Sequence, residues 1–134
     1  MRPRRTKFKK YHKPSISNAY KKKSHLIYGN YGLLALEGGL IKDSQIMCSI
    51  MCMKRKLKRK GKISVRVFPH IGVSKKPLEV RMGKGKGSVD HYATEVKGGS
   101  VMFELVGASE SIANTALKIA ASKLPIKCGI IIKK

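Results

Sequence analysis

An α+β sandwich, two helices on a mixed, mostly antiparallel sheet behind a basic N-terminal extension, is the fold the sequence predicts. Apolar residues recur at helical spacing in only two stretches, and the segments around them alternate or run β-branched as strands do. The resulting order is strand, strand, helix, strands, helix, strand, without the regular strand–helix alternation of a doubly wound parallel sheet. Charge marks off the start of the chain. Residues 1–23 carry ten Lys and Arg, and the first acidic residue is Glu37, so this segment builds no core by itself.

The chain has 134 residues, of which 42% are hydrophobic, enough for one modest core. Residues 24–134 are therefore read as one globular α+β domain. No apolar run approaches the roughly 18–20 residues of a membrane span. The basic start has no apolar block behind it, so it does not read as a secretory signal. In the extension, Arg2, Arg4, Arg5, Lys7, Lys9, Lys10, Lys13, Lys21, Lys22 and Lys23 are interleaved with Phe8, Tyr11, His12 and Tyr20. Such an arm orders only by folding onto a polyanion.

Further elements follow in sequence order. Residues 25–36 read as two short strands joined around Gly29-Asn30, followed by a Gly38-Gly39 turn. Asp43 or Ser44 then caps a helix whose apolar stripe is Ile46, Ile50, Met53 and Leu57. Its end carries Lys54, Arg55, Lys56, Lys58, Arg59 and Lys60, and Gly61 is expected to stop it. Cations at a helix C-terminus suit the macrodipole, but six exceed what a dipole uses, which points to phosphates. Residues 63–68 alternate as a strand ending at Pro69. A loop is expected over 70–77, extended chain over 78–81, and a hairpin of 89–97 with 101–106 around Gly98-Gly99. Ser109 caps a second helix with Ile112, Ala116, Ile119, Ala120 and Lys123 along it; Leu124-Pro125 ends it, and residues 126–132 form a closing strand.

With 30 Lys and Arg against 7 Asp and Glu, the formal net charge is +23. Self-repulsion of that size is relieved when phosphates neutralise the cations and release counterions, so nucleic acid is the expected partner. An anionic membrane fits less well, because no basic amphipathic helix carries aromatic anchors. Cys48, Cys52 and Cys128 are odd in number and lack framework spacing, which implies free thiols in a reducing compartment. Cys48 and Cys52, four apart on a helix, have no second pair to complete a zinc site.

The run Gly83-Lys84-Gly85-Lys86-Gly87 is neither a Walker loop nor a dinucleotide fingerprint, since no Gly-Lys-Ser/Thr follows and a strand comes next. Alternating glycines do let a backbone approach a phosphate chain closely, with Arg81, Lys84 and Lys86 supplying charge. Catalysis is poorly supported. The acids are scattered singly, and His12, His25, His70 and His91 have no partnering motif. His91 beside Asp90 is the one conceivable acid–base pair, with side chains expected on opposite faces of a strand.

At nearly every block the residues resemble the large-subunit ribosomal protein L-sixteen family of bacteria and organelles. The blocks are Pro3-Arg4-Arg5-Thr6-Lys7-Phe8 with His12-Lys13, then Tyr28-Gly29-Asn30-Tyr31-Gly32-Leu33, Arg66-Val67-Phe68-Pro69 and Lys76-Pro77. Val80-Arg81-Met82-Gly83-Lys84-Gly85-Lys86-Gly87 is the strongest; Phe103-Glu104, Gly107, Ala120-Ala121 and Lys123-Leu124-Pro125-Ile126-Lys127 complete the match. Ser64 and Tyr92 stand where the family often has Trp, and the helix over 45–53 is rich in Met and Cys where relatives carry small residues and arginines.

The resemblance implies an α/β-hammerhead fold and a structural, non-enzymatic role in the large ribosomal subunit, near the base of the central protuberance, with late incorporation during assembly. It implies that Arg2, Arg4, Arg5, Lys7, Lys9, Lys10, His12, Lys13, Lys54, Arg55, Lys58, Arg59 and Arg66 bind large-subunit rRNA. It also implies that the loop at 81–88, through Arg81, Met82, Gly83, Lys84, Gly85, Lys86 and Gly87, faces the tRNA acceptor region near the peptidyl transferase centre. Neighbouring ribosomal proteins are further expected partners. No cofactor, metal, membrane or homo-oligomer is expected. The chain starts almost where bacterial members start, which suits synthesis where the protein works, and the Met/Cys/Lys/Ile-rich helix tilts the compartment toward a mitochondrial ribosome, with the bacterial cytoplasm or a plastid as alternatives. A general architectural nucleic-acid-binding protein of the nucleoid is the competing function; no helix-turn-helix or wedge pattern supports it.

Overall fold

The computed structural model describes residues 1–12, 15–16 and 25–133. Tyr31–Ala35 forms β1, whose consecutive Leu33, Leu34 and Ala35 are buried on both faces. Such a run belongs in the interior of a sheet. β1 indeed lies between two antiparallel neighbours, β6 (Val101–Val106) and β7 (Cys128–Ile132), and β3 (Lys62–Val65) pairs with the far side of β6. A second, three-stranded antiparallel sheet has the order β2 (Gly39–Lys42), β5 (Val89–Val96), β4 (Ile71–Ser74).

Helices α1 (Asp43–Leu57) and α2 (Glu110–Ala121) pack on each other; α2 lies against β1 and β7 of the four-stranded sheet, and α1 also touches β2 and β5 of the three-stranded one. The expected stripe Ile46, Ile50, Met53 and Leu57 is the buried face of α1, against Ala113, Ala116, Leu117 and Ala120 of α2 and Leu33, Phe103 and Leu105 of the sheet. Burying each large apolar side chain stabilises the fold by about 1.5–3 kcal/mol. Ser49, fully buried in that face, donates its hydroxyl to Ala120 O at 3.3 Å, so the small residues of α2 admit a polar contact where the helices meet.

The α+β class, two helices and antiparallel pairing are as predicted; the division into two sheets is new. Residues 89–97 and 101–106 do not form the expected hairpin. Both edges of β5 are taken by β2 and β4, while Gly99 N–H donates to Ala35 O at 2.8 Å and turns the chain into the other sheet. Gly99, at φ 85°, occupies a conformation that Gly adopts freely.

Other local expectations change for equally physical reasons. Residues 25–28 are no strand; the amides of Ile27, Tyr28 and Gly29 are taken instead by a buried carboxylate. The expected loop 70–77 contains β4, and the expected extended stretch 78–81 begins as a turn, with Val80 N–H on Pro77 O at 3.3 Å. The strand predicted over 63–68 ends at Val65, although Arg66 N–H still donates to Met102 O at 2.9 Å. Lys42, rather than Asp43 or Ser44, is the N-cap of α1, and Gln45 Oε1 accepts its N–H at 2.9 Å. The helix also ends four residues before Gly61, at Leu57, after which Lys58 and Arg59 turn left-handed at φ 45° and 68°.

Candidate nucleic-acid interface

Glu104 organises one side of the surface. It is fully buried in β6, in a run otherwise apolar, and its carboxylate accepts amide N–H groups from Ile27 (3.1 Å), Tyr28 (2.7 Å) and Gly29 (2.8 Å). Arg66 Nη1 donates to the same carboxylate at 2.9 Å and to His25 O at 2.8 Å. Burial pushes the Glu104 carboxyl up, but the three amides and the guanidinium outweigh it and hold the group below its ordinary 4.5. Gly29 is required here by closeness, since a Cβ would stand 2.6 Å from Leu105 O. The outcome is a shaped loop that presents Ile27 and Tyr28, 59% and 66% exposed, to solvent.

The N-terminal arm is fastened at two points. Arg2 Nε donates to Asp43 Oδ2 at 2.9 Å, at the start of α1. Burial raises the Asp43 pKa, and the hydrogen bonds from Arg2 and from Ser44 N–H overcome this and lower it. Further on, Lys10 Nζ donates to Lys86 O at 2.7 Å, and Lys86 Nζ reaches back to Tyr11 O. Between these points Lys9 O lies near Gly72 of β4, and Tyr11 and His12 line a small cleft with Leu40, Val73 and Lys86. The arm and the glycine loop, read separately in the sequence, thus meet in space.

The loop itself stands out from the β4–β5 connection. Gly83, Lys84 and Gly85 are all left-handed, at φ 103°, 53° and 84°, and a Cβ on either glycine would meet nothing within 4 Å. Their need for Gly is conformational. At Gly87 the reason is different, for a Cβ there would sit 2.6 Å from Lys75 O. Lys76 Nζ donates to Gly83 O, bracing the loop from its own stem. Arg81, Met82, Lys84 and Lys86 are exposed, Met82 to 95%.

At the opposite end of α1, Lys54, Arg55 and Lys56 occupy the last turn, and the left-handed Lys58 and Arg59 carry the remaining cations around the corner toward Lys60. Among the described residues, no carboxylate is in ion-pair contact with Arg4, Arg5, Lys7, Lys9, Lys10, Lys54, Arg55, Lys58, Arg59, Arg81, Lys84 or Lys86. These exposed cations are available to phosphates. Two members of the expected set are engaged within the protein: Arg2 pairs with Asp43, and the Arg66 guanidinium is turned inward onto Glu104 and His25. Lys13 lies outside the described residues, as do Tyr20, Lys21, Lys22 and Lys23.

Sequence reasoning missed the roles of Glu104, Asp43, Lys76 and Tyr11. Glu104 carried a signal, a single carboxylate in a strand otherwise apolar; the other three carried none. His91 and Asp90, expected on opposite faces, are in fact hydrogen-bonded side chain to side chain at 2.8 Å. That bond lowers the Asp90 pKa. The pair lies at the surface, and no group of three or more potential metal ligands occurs among the described residues.

The domain thus carries an arm, a helix end and a projecting loop whose cations, Arg2 apart, have no carboxylate partner among the described residues. The model of the family described as ribosomal protein L16p/L10e matches residues 3–131. The chain is 45% identical to large ribosomal subunit protein uL16 of Mesoplasma florum, over 96% of this chain and 94% of that one. It is also 45% identical to the protein of that name from Cereibacter sphaeroides, over 100% and 98%, and 46% identical to that from Maricaulis maris, over 98% and 96%. The chain belongs to the ribosomal protein L16p/L10e family, and so is a ribosomal protein of structural, non-enzymatic kind.

Proposed function

We propose that this chain is an architectural component of the large ribosomal subunit that binds its rRNA near the base of the central protuberance and helps position tRNA near the peptidyl transferase centre. The observation that carries the reading is the Arg81–Gly87 loop, exposed, cationic and braced from two sides by Lys76 and by the arm. A loop so held projects charge over a distance without collapsing on the domain. Arg2, Arg4, Arg5, Lys7, Lys9, Lys10, His12 and Lys13 of the arm, with Lys54, Arg55, Lys58 and Arg59 of the helix end, take rRNA phosphates. Arg66 acts one step back, by shaping the 25–29 segment that meets the RNA. Arg81, Met82, Gly83, Lys84, Gly85, Lys86 and Gly87 form the tRNA-facing element, and RNA performs the chemistry. Residues 1–23 serve as the rRNA-binding extension of the single domain 24–134.

The Met- and Cys-rich outer face of α1 supports a mitochondrial ribosome as the setting, because A+T-rich coding favours such residues; the similar proteins named above are bacterial, and locating the gene decides the compartment. The division of labour is tested with two variants carried through a high-salt sucrose gradient. Removing residues 1–13 is expected to reduce incorporation into the large subunit severalfold. Lys84→Ala with Lys86→Ala is expected to leave incorporation intact and weaken tRNA binding by about tenfold. Equal assembly defects from both would contradict the division, and co-migration with DNA would favour a nucleoid protein.

A further inference from the structure

A groove of about 380 Å³ opens where the two sheets meet. Arg66, Phe68 and His70 line it from the β3–β4 connection, Thr94 and Glu95 from β5, and Ser100 from just before β6. Its volume lies in the range of roughly 300–1,000 Å³ typical of small-ligand sites. Phe68 is 47% exposed beside a buried Pro69, so this aromatic ring is not part of the core. His70 Nδ1 lies 3.2 Å from Phe68 O, which keeps a second flat ring at the same rim. Glu95 is the one carboxylate that lines the groove. Among the described residues, no cation is in ion-pair contact with it.

We propose that the groove holds one unstacked base of the RNA that the basic surface binds, with guanine preferred. The proposal rests on the RNA-binding reading above and names a subsite within it. Aromatic faces take splayed RNA bases by stacking. A carboxylate repels phosphate, so the RNA must present hydrogen-bond donors at this point. Guanine alone among the four bases offers two adjacent donors, N1–H and N2–H, that match the two oxygens of Glu95. Ser100, on the groove's other wall, adds a hydroxyl that adapts as donor or acceptor. The cations of the arm and helix end hold the strand by its backbone, while this groove reads one position along it.

The chain contains no Trp, so Phe68→Trp places a single fluorescent reporter in the groove of the full-length protein. End-labelled RNA hairpins are titrated that differ only at one unpaired loop position: guanine, adenine, uracil or abasic. Label anisotropy reads binding by the whole surface, and indole fluorescence reads occupancy of the groove. The guanine hairpin is expected to quench the indole and to bind about tenfold tighter than the abasic one. Adding Glu95→Gln is expected to erase the preference for guanine over adenine. Binding by anisotropy without quenching, or with equal quenching by the abasic hairpin, overturns the groove proposal and leaves RNA binding standing. No anisotropy change with any hairpin overturns the RNA-binding reading itself. Unmodified protein supplies a second arm that needs no variant to fold: ultraviolet crosslinking of native large subunits should leave a guanosine adduct on the tryptic peptide 67–75. Adducts confined to other peptides would overturn the proposal.

Discussion

Glu104 shows how one buried charge shapes a surface it never reaches. Its carboxylate gathers three backbone amides and one guanidinium, and removing the negative charge leaves those donors facing each other in the interior. Glu104→Gln should therefore destabilise the fold by about 3 kcal/mol, measured by urea unfolding at pH 7. The sign of the pH dependence follows from the lowered pKa. This contribution is fully present above the ordinary 4.5 and is lost as pH falls through the folded value, so the wild-type advantage over the variant should shrink in acid. Gly29→Ala tests the same contact sterically and should cost about 1–3 kcal/mol, since backbone faces the added methyl. The thiols separate as sharply. Burial pushes Cys128 up to about 11, while Cys48 is exposed on α1. Alkylation at pH 8 followed by mass spectrometry should label Cys48 first and Cys128 last.

At the scale of elements, helices were legible in the sequence and sheets only in part. The stripe Ile46–Ile50–Met53–Leu57 is a local pattern, and local burial realised it. Strand pairing depends instead on residues far apart, which is why the glycine turn at 98–99 suggested a hairpin that the structure divides between two sheets. β4 stayed hidden because its four residues lie between Pro69 and Pro77 in a stretch with loop composition. The candidate site divides the same way. Its cations were visible in composition, but the arm–loop contact joins residues 76 apart and has no local signature. The end of α1 gives a prediction at this scale. Lys58 stands left-handed at the C-cap, a conformation that costs a non-Gly residue about 1–2 kcal/mol. Lys58→Gly should raise stability by up to about 1 kcal/mol in thermal unfolding while weakening RNA affinity through the lost cation.

For the whole molecule, charge is the organising quantity. A net +23, most of it carried by the arm, helix end and loop, opposes the compact state in dilute buffer and would be neutralised by bound RNA. If about ten phosphates are contacted, affinity for large-subunit rRNA should fall with salt along a log–log slope of about −7 to −9. Arm and loop lie on one continuous surface, joined through Lys10, Tyr11 and Lys86, so on the proposed reading rRNA held by the arm would set where the loop points. The most direct test of that claim is directed hydroxyl-radical cleavage in assembled subunits, from an iron chelate on Lys84→Cys in a chain with Cys48 and Cys52 changed to Ser. The account predicts strand scission at the acceptor end of bound tRNA, together with scission in the rRNA around it. Scission confined to rRNA remote from any tRNA would contradict the placement of the loop.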